Sequence, residues 1–427
     1  MTNTAPVSAP IDLSLYPETA TLDDGGRLTL GGVAVADVVE RFGTPLYVVD
    51  VASLRIQARR YIDAFASRHA RSTVMFASKS FPAPAVIRVL AAEGCGVDVA
   101  STGELVIARA AGAQPGRMVF HGNAKTDEDI SSAIDAGVGH IVIDNLDDVD
   151  RIARLATSPV PALLRVSPHI AASTHSSLST GHDSSKFGVP SGQVNDVIAR
   201  IRRESMIDLQ GIHAHIGSQI LDLDQFEAEV RALSMIERFP VYDFGGGLGI
   251  RYVRSDAAPS VDDYADRMVG AMHRHLGEDV DLIVEPGRSM VGRSGITAYR
   301  ISTVKRGVRT HVAVDGGMGD NLEVALYGQA FEPAVLGKEG RATTVDVVGR
   351  FCESGDQLVR DAPLVDPHVG DIITVPATGA YCYTLANNYN AALRPPVVFC
   401  DDGAARVVVR RETYDDLLQR DVDHAHR

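Results

Sequence analysis

Lys79 stands in Phe76-Ala77-Ser78-Lys79-Ser80-Phe81, where a short apolar run ends. An amine aimed into a protein interior loses hydration, so it is kept there when it is paired or used as a nucleophile. Farther along, Gly245-Gly246-Gly247-Leu248-Gly249 follows the run Val241–Phe244. Consecutive glycines let the backbone approach a ligand closely and turn its N–H groups toward a phosphate. Glu285-Pro286-Gly287-Arg288 then supplies a carboxylate, a glycine and a guanidinium together. His213-Ala214-His215-Ile216-Gly217-Ser218-Gln219 sets two imidazoles at alternate positions ahead of Gly-Ser. Each of these has a plainer reading: a surface lysine, a glycine turn, a Glu285–Arg288 ion pair, a hydrogen-bonded core histidine. Their common placement argues against the plainer readings.

Short β-branched or apolar runs recur at Thr73–Ala77, Gly96–Ala100, Met118–Phe120, His140–Ile143, Leu163–Val166, Gly211–Ile216, Val241–Phe244 and Leu282–Val284. The first five begin about every 22–23 residues, the length of a βα unit. Intervening stretches such as Pro84–Glu93 and Gly103–Ala111 carry apolar residues at helical spacing. Continuous apolar runs suit parallel strands buried on both faces. Eight such units predict a (β/α)8 barrel, with an open doubly wound sheet as the alternative. The barrel is favoured because the runs are followed by Lys79, Ser101, His121, Asp144, Ser167, Ser218, the Gly245–Gly247 triplet and Glu285. Active sites of such barrels collect at the C-terminal ends of the strands, with phosphate sites after strands seven and eight.

A phosphate grip at that place, together with a strand-end lysine, is what pyridoxal phosphate requires, because its aldehyde is held by an amine. Glu285 is then the partner for the pyridine nitrogen, and His215 the group able to stack on the ring.

After Gly292 the rhythm changes to strand-like runs with turns and little helix: Ile296–Val304, His311–Val314, Thr343–Val348, Asp371–Val375, Val397–Cys400 and Ala405–Arg410. The expected organisation is residues 1–43 as a leader carrying a strand near Leu28–Leu30 that joins the β-domain, 44–294 as the cofactor-binding barrel, and 295–427 as a β-sandwich or barrel-like domain. Ser173–Ser185 reads as a long Ser/Thr/His-rich loop.

Composition narrows the partners. The net charge of −14 with no basic block disfavours nucleic acid, which is bound through Lys/Arg clusters. No apolar run approaches the roughly 18–20 residues of a membrane span. The four cysteines, Cys95, Cys352, Cys382 and Cys400, form no CxxC pair, so no metal site is expected. Residues 1–20 lack a basic start and an apolar stretch, and the expected location is the cytoplasm with reduced thiols.

The motif set resembles the fold-type III pyridoxal-phosphate-dependent decarboxylases, and is most similar to the bacterial diaminopimelate branch. The matching pieces are FASKSF around Lys79, Val97–Ser101, His121–Lys125, Lys186–Gly188, HAHIGSQ, DFGGGLG, EPGR, Val314–Met318, Ala325–Gly328, Cys352–Asp356 and Gly379–Tyr383, spread from about Leu28 to Leu418. The resemblance implies that Lys79 holds the cofactor through its amine, His215 packs on the ring and Glu285 pairs with its nitrogen. It implies that Ser218, Gly245, Gly246, Gly247, Gly287, Arg288 and Tyr381 hold the phosphate end. Asp98, His121 and Arg165 complete the implied cofactor set. Cys352 would protonate the substrate carbon after CO2 departs, acting from the neighbouring subunit of a head-to-tail homodimer with shared sites. Arg288, Glu323, Tyr327, Glu353 and Tyr381 fall at substrate-contacting positions.

One position departs from the pattern. Where the family carries an arginine for the substrate's distal carboxylate, this chain has Glu323 in Asp320-Asn321-Leu322-Glu323-Val324-Ala325-Leu326-Tyr327. The expectations are therefore meso-2,6-diaminopimelate as substrate or, because the local charge is reversed, a different diamino acid or related amino acid. A racemase of the same fold type would place a catalytic tyrosine, not Cys352, opposite the lysine. A catalytically dead homologue would have lost Lys79 or Cys352, and both are present.

Overall fold

The computed structural model describes residues 11–168, 170 and 185–423. Most of the Ser173–Ser185 loop lies outside them. The chain divides into two compact units. One comprises Arg55–Ile250 and Ala257–Met290, and the other the described residues up to Leu54, Arg251–Asp256 and everything from Val291 onward.

The first unit is a closed barrel. Its eight parallel strands are β1 (Ser72–Ala77), β2 (Gly96–Val99), β3 (Met118–Phe120), β4 (His140–Ile143), β5 (Val160–Ser167), β6 (Ile207–His213), β7 (Val241–Asp243) and β8 (Asp281–Val284). They pair in chain order, and β8 returns to β1 to close the ring. Every expected run is a strand, displaced by a few residues at its ends.

Alternation along each strand fixes which side chains fill the interior. Met75, Val119, Val142, Leu163, Val241 and Ile283 form one buried cluster inside the barrel. The two strands that contribute no bulky residue there contribute glycines. A Cβ on Gly96 would lie 2.0 Å from Met75 Sδ, and one on Gly211 would lie 2.0 Å from the Val241 carbonyl oxygen. Gly96 therefore makes room for the Met75 side chain, and Gly211 for the close approach of the Val241 backbone.

Helices follow the strands, and polar residues cap several of them. Ser101 accepts from Glu104 N–H at 3.2 Å, Asn145 accepts from Asp148 N–H at 3.1 Å, and Thr126 forms a capping box with Asp129. Such caps satisfy backbone donors that a helix start leaves unpaired. Ser101 is thus a helix cap.

The second unit is built on a nine-stranded sheet. Its axis is the strand Gly295–Arg306. The first part of that strand pairs with Leu46–Asp50 and Ile372–Val375, and its last part pairs with Thr310–Val314. Leu46–Asp50 is buried throughout and is flanked on its other edge by Val397–Asp401. This corrects the expected N-terminal contribution. Leu28–Leu30 pairs instead with Thr21–Leu22 and Val33–Ala34 in a separate three-stranded sheet. Its leucines still enter the core that the large sheet shares with the helix Val35–Phe42, which explains the misleading pattern. Residues 44–54, expected with the barrel, accordingly group with the second unit.

Candidate active site

Two residues beyond each position of the apolar barrel cluster and beyond Gly96 and Gly211, alternation brings the next inward-facing set: Ala77, Asp98, His121, Asp144, Arg165, His213, Asp243 and Glu285. The strand registers agree, pairing Ala77 with Asp98, Arg165 with His213, and His213 with Asp243. All eight are buried. A polar floor thus rests directly on an apolar plug, at the strand ends where a barrel enzyme works.

Lys79 lies just above, in a single helical turn Ser78–Ser80 that directly follows β1. Its Nζ is 3.5 Å from Asp98 Oδ2. Burial raises the Asp98 carboxyl, and the Lys79 charge opposes that rise. Glu285 Oε1 is 2.7 Å from His121 Nε2, and Glu285 Oε2 is 3.4 Å from His213 Nε2. Burial alone would raise the Glu285 carboxyl, but His121 and then His213 hold it well below the usual range. An ionised carboxylate at the centre of the floor is what a pyridinium nitrogen needs as a partner.

The glycine run forms a cradle that side chains would fill. A Cβ on Gly246 would sit 2.2 Å from the Glu285 carbonyl oxygen, and one on Gly247 2.5 Å from that of Gly217. Gly245 and Gly247 also have left-handed φ of +58° and +114°. His215 Nδ1 accepts from Gly246 N–H at 3.3 Å, and burial with the Lys79 and Arg165 charges keeps the imidazole neutral. Gly287 leaves a Cβ only 3.1 Å from Ala77 Cβ. Arg288 donates from Nε to Ser218 Oγ at 3.2 Å, tying the loops after β6 and β8 together. Glycine backbone, a hydroxyl and a guanidinium at one end, with an ionised carboxylate and a lysine amine at the other, fit a phosphorylated pyridoxal.

Further residues support this floor, Asp243 and Asp148 among them without a place in the sequence reading. Asp243 is fully buried beside Glu285, and one nitrogen or oxygen from each of His121, His213, Asp243 and Glu285 lies within 4.8 Å of the others. Two full negative charges at that spacing repel by about 3 kcal/mol at an effective dielectric near 20. Lys125 Nζ is 2.7 Å from Asp148 and donates to the carbonyls of Gly122 and Val142. Asp148 in turn accepts from Asp144 N–H at 2.9 Å, and Asp144 accepts from Gly188 N–H at 3.0 Å. The Arg165 guanidinium lies 4.4 Å from the centre of the Phe187 ring. The sequence signal that finds Asp243 and His213 is the two-residue step from an inward apolar or glycine position.

The remaining expected residues belong to the second unit. Cys352 and Glu353 lie on the exposed loop Phe351–Gly355. Cys352 N–H donates to Asn390 Oδ1 at 2.7 Å, and Glu353 Oε1 accepts from Gly355 N–H at 3.1 Å. Asp356 anchors the loop by accepting from the backbone of Met318 and Phe351, each at 2.7 Å. Cys352 is the exposed cysteine, whereas Cys95, Cys382 and Cys400 are buried. Tyr381 has φ +62°, a left-handed conformation that a non-glycine residue keeps when its position is over-determined by its surroundings. Glu323 opens the short helix Glu323–Tyr327 and is fully buried.

Fold and floor together define a barrel enzyme whose floor fits pyridoxal phosphate. Residues 51–292 match the family model described as pyridoxal-dependent decarboxylase, pyridoxal binding domain, and the chain belongs to that family of fold-type III carboxy-lyases. It is 41% identical to the diaminopimelate decarboxylase of Actinosynnema pretiosum subsp. auranticum over 96% of both chains. It is 39% identical to that of Bacillus subtilis over 95% of this chain and 97% of the relative. The solved diaminopimelate decarboxylase of M. jannaschii with L-lysine matches at a TM-score of 0.89 and 32% identity, covering 95% of this chain and 98% of that one.

Proposed function

We propose that the chain decarboxylates meso-2,6-diaminopimelate to L-lysine and CO2, as a step of lysine biosynthesis. The observation that carries the reading is the 41% identity spread over nearly the whole of both chains, reinforced by the lysine-bound structure. The cofactor, when bound, supplies an electron sink for the bond to the departing carboxylate. The residues of this chain do the rest. Lys79 would hold the cofactor through its amine. Glu285 would pair with the ring nitrogen and His215 would support the ring. The Gly245–Gly247 backbone, Ser218, Arg288, Gly287 and Tyr381 retain the phosphate. Asp98, His121 and Arg165 fix the charges around Lys79 and Glu285. Cys352, offered on an exposed loop, returns a proton to the α-carbon. In this reading two copies pair head to tail, and Cys352 of the partner subunit serves each barrel. Free thiols at all four cysteines suit a cytoplasmic protein, and no helix among the described residues is long and apolar enough to cross a membrane.

A second reading rests on Glu323. With Arg288, Tyr327, Glu353 and Tyr381 it falls at the family's substrate-contacting positions, and a carboxylate there repels a distal carboxylate. An amino acid with a distal ammonium or an uncharged polar tail would meet no such repulsion. A CO2-release screen over diaminopimelate, lysine, ornithine, arginine and glutamate derivatives decides between them. Turnover fastest on diaminopimelate supports the first reading; fastest turnover on another amino acid supports the second.

A further inference from the structure

Asp243 belongs to the barrel floor, yet neither the family resemblance nor the reaction outlined above gives it a task. Its Oδ1 accepts from Gly245 N–H at 2.9 Å, at the start of the phosphate cradle. Its Oδ2 is buried and has no hydrogen-bond partner among the described residues. Strand pairing sets Asp243 opposite Ile283, so Glu285, two residues on, is its diagonal neighbour on the same inner face. The backbone bond from Glu285 N–H to the Gly245 carbonyl, 2.6 Å long, fixes the two loops together. Adjacent buried carboxylates cannot both be ionised without severe repulsion, and one of them takes a proton. The geometry says which. Glu285 has imidazole nitrogens at 2.7 and 3.4 Å, whereas Asp243 has one backbone N–H and a vacant second oxygen.

We propose that Asp243 is the carboxylic acid form and donates from Oδ2 to the Glu285 carboxylate, acting as a positioning residue that aims Glu285 at the cofactor's ring nitrogen while Oδ1 fixes the phosphate cradle. One side chain thereby links the two ends of the cofactor site. The inference rests on the cofactor and is independent of the amino-acid substrate. The titratable groups facing Asp243 are Glu285 after β8, His213 from β6, His121 after β3, Asp98 from β2 and Arg165 from β5, with Tyr264 on a helix outside. Burial and the Glu285 charge both push the Asp243 carboxyl well above its ordinary range, in agreement with the assignment.

An asparagine reproduces this arrangement, since its oxygen accepts from Gly245 N–H and its amide donates to Glu285. Asp243→Asn should therefore keep cofactor affinity within about threefold of wild type, measured by titrating the apoprotein and following the bound-cofactor absorption. Asp243→Ala should weaken it by about tenfold or more. Equal loss in both variants would show that Asp243 acts as an anion, and no loss in Asp243→Ala would show that it has no such role. Infrared difference spectra of wild type minus Asp243→Asn at neutral pH provide a measurement that needs no refolded alanine variant. A protonated carboxylic acid band in the difference supports the assignment. A carboxylate band in its place overturns it.

Discussion

Lys125 and Asp148 form an ion pair 2.7 Å long with both side chains buried, beneath the loops that carry His121 and Asp144. The lysine also donates to two backbone carbonyls, so its desolvation is offset at every proton. Burial still lowers its pKa, which marks how much the ammonium depends on these partners. Lys125→Met should cost about 3–5 kcal/mol in urea unfolding, because Asp148 is left buried and uncompensated. Lys125→Met combined with Asp148→Leu should recover much of that loss. A single-variant cost below about 1 kcal/mol would mean that water reaches the pair.

Lys79 stands 3.5 Å from Asp98, above the floor of a barrel that matches a pyridoxal binding domain. Purified wild-type protein supplied with cofactor should show a visible absorption band, and Lys79→Ala should abolish it. A colourless wild type would remove the basis of the site.

Cys352 is exposed on a loop braced by Asp356, and its neighbours give it a fixed backbone position. As the group returning a proton to carbon, it should be worth about 10²–10⁴ in turnover. Cys352→Ala should show that loss in kcat with cofactor absorption intact. An unchanged kcat would assign the proton to another group.

Much of this site is legible in the sequence because barrel strands write it plainly. The runs ending at Ala77, Phe120, Ile143 and Val284 mark strand ends, and Lys79, His121 and Glu285 stand at the expected distance beyond them. Asp243 escapes notice because it lies within its strand, next to a conspicuous glycine run. Lys125 escapes because its partners, a carboxylate from another loop and two carbonyls, are brought together only by folding. Leu46–Asp50 reads equally well as a barrel strand, since strands buried on both faces look alike in any sheet. The strand Gln357–Val365 is missed for the opposite reason: its Arg360, Asp361 and Pro363 disguise a sheet edge.

His213 gives the floor a pH dependence. Burial pushes its pKa down to about 3, and the nearby Glu285 only partly opposes this. The folded protein therefore excludes a proton that the unfolded chain binds below its ordinary value of about 6.5. Stability is retained above that pH and declines as pH falls from about 6.5 toward 3, by up to about 1.4 kcal/mol per pH unit from this group. Urea midpoints of wild type should drop faster between pH 7 and 5 than those of His213→Gln. Parallel slopes would mean that His213 takes up its proton without unfolding.

Glu323 is fully buried at the start of the helix Glu323–Tyr327, so its carboxylate is desolvated and its sign matters. A substrate carboxylate buried against a like charge meets a cost on the scale of about 3–5 kcal/mol, equivalent to a factor of a hundred or more in binding. If the chain acts on an amino acid without a distal carboxylate, Glu323→Arg should raise kcat/KM for meso-diaminopimelate by at least about tenfold and depress it for the native substrate. If diaminopimelate is already the best substrate, the added guanidinium should yield no gain there, and the buried arginine should lower the melting temperature. The KM for diaminopimelate separates the cases. A fall in KM with stability preserved identifies the position as a selector of the substrate's far end, whereas an unchanged KM shows that Glu323 serves the packing of its own helix.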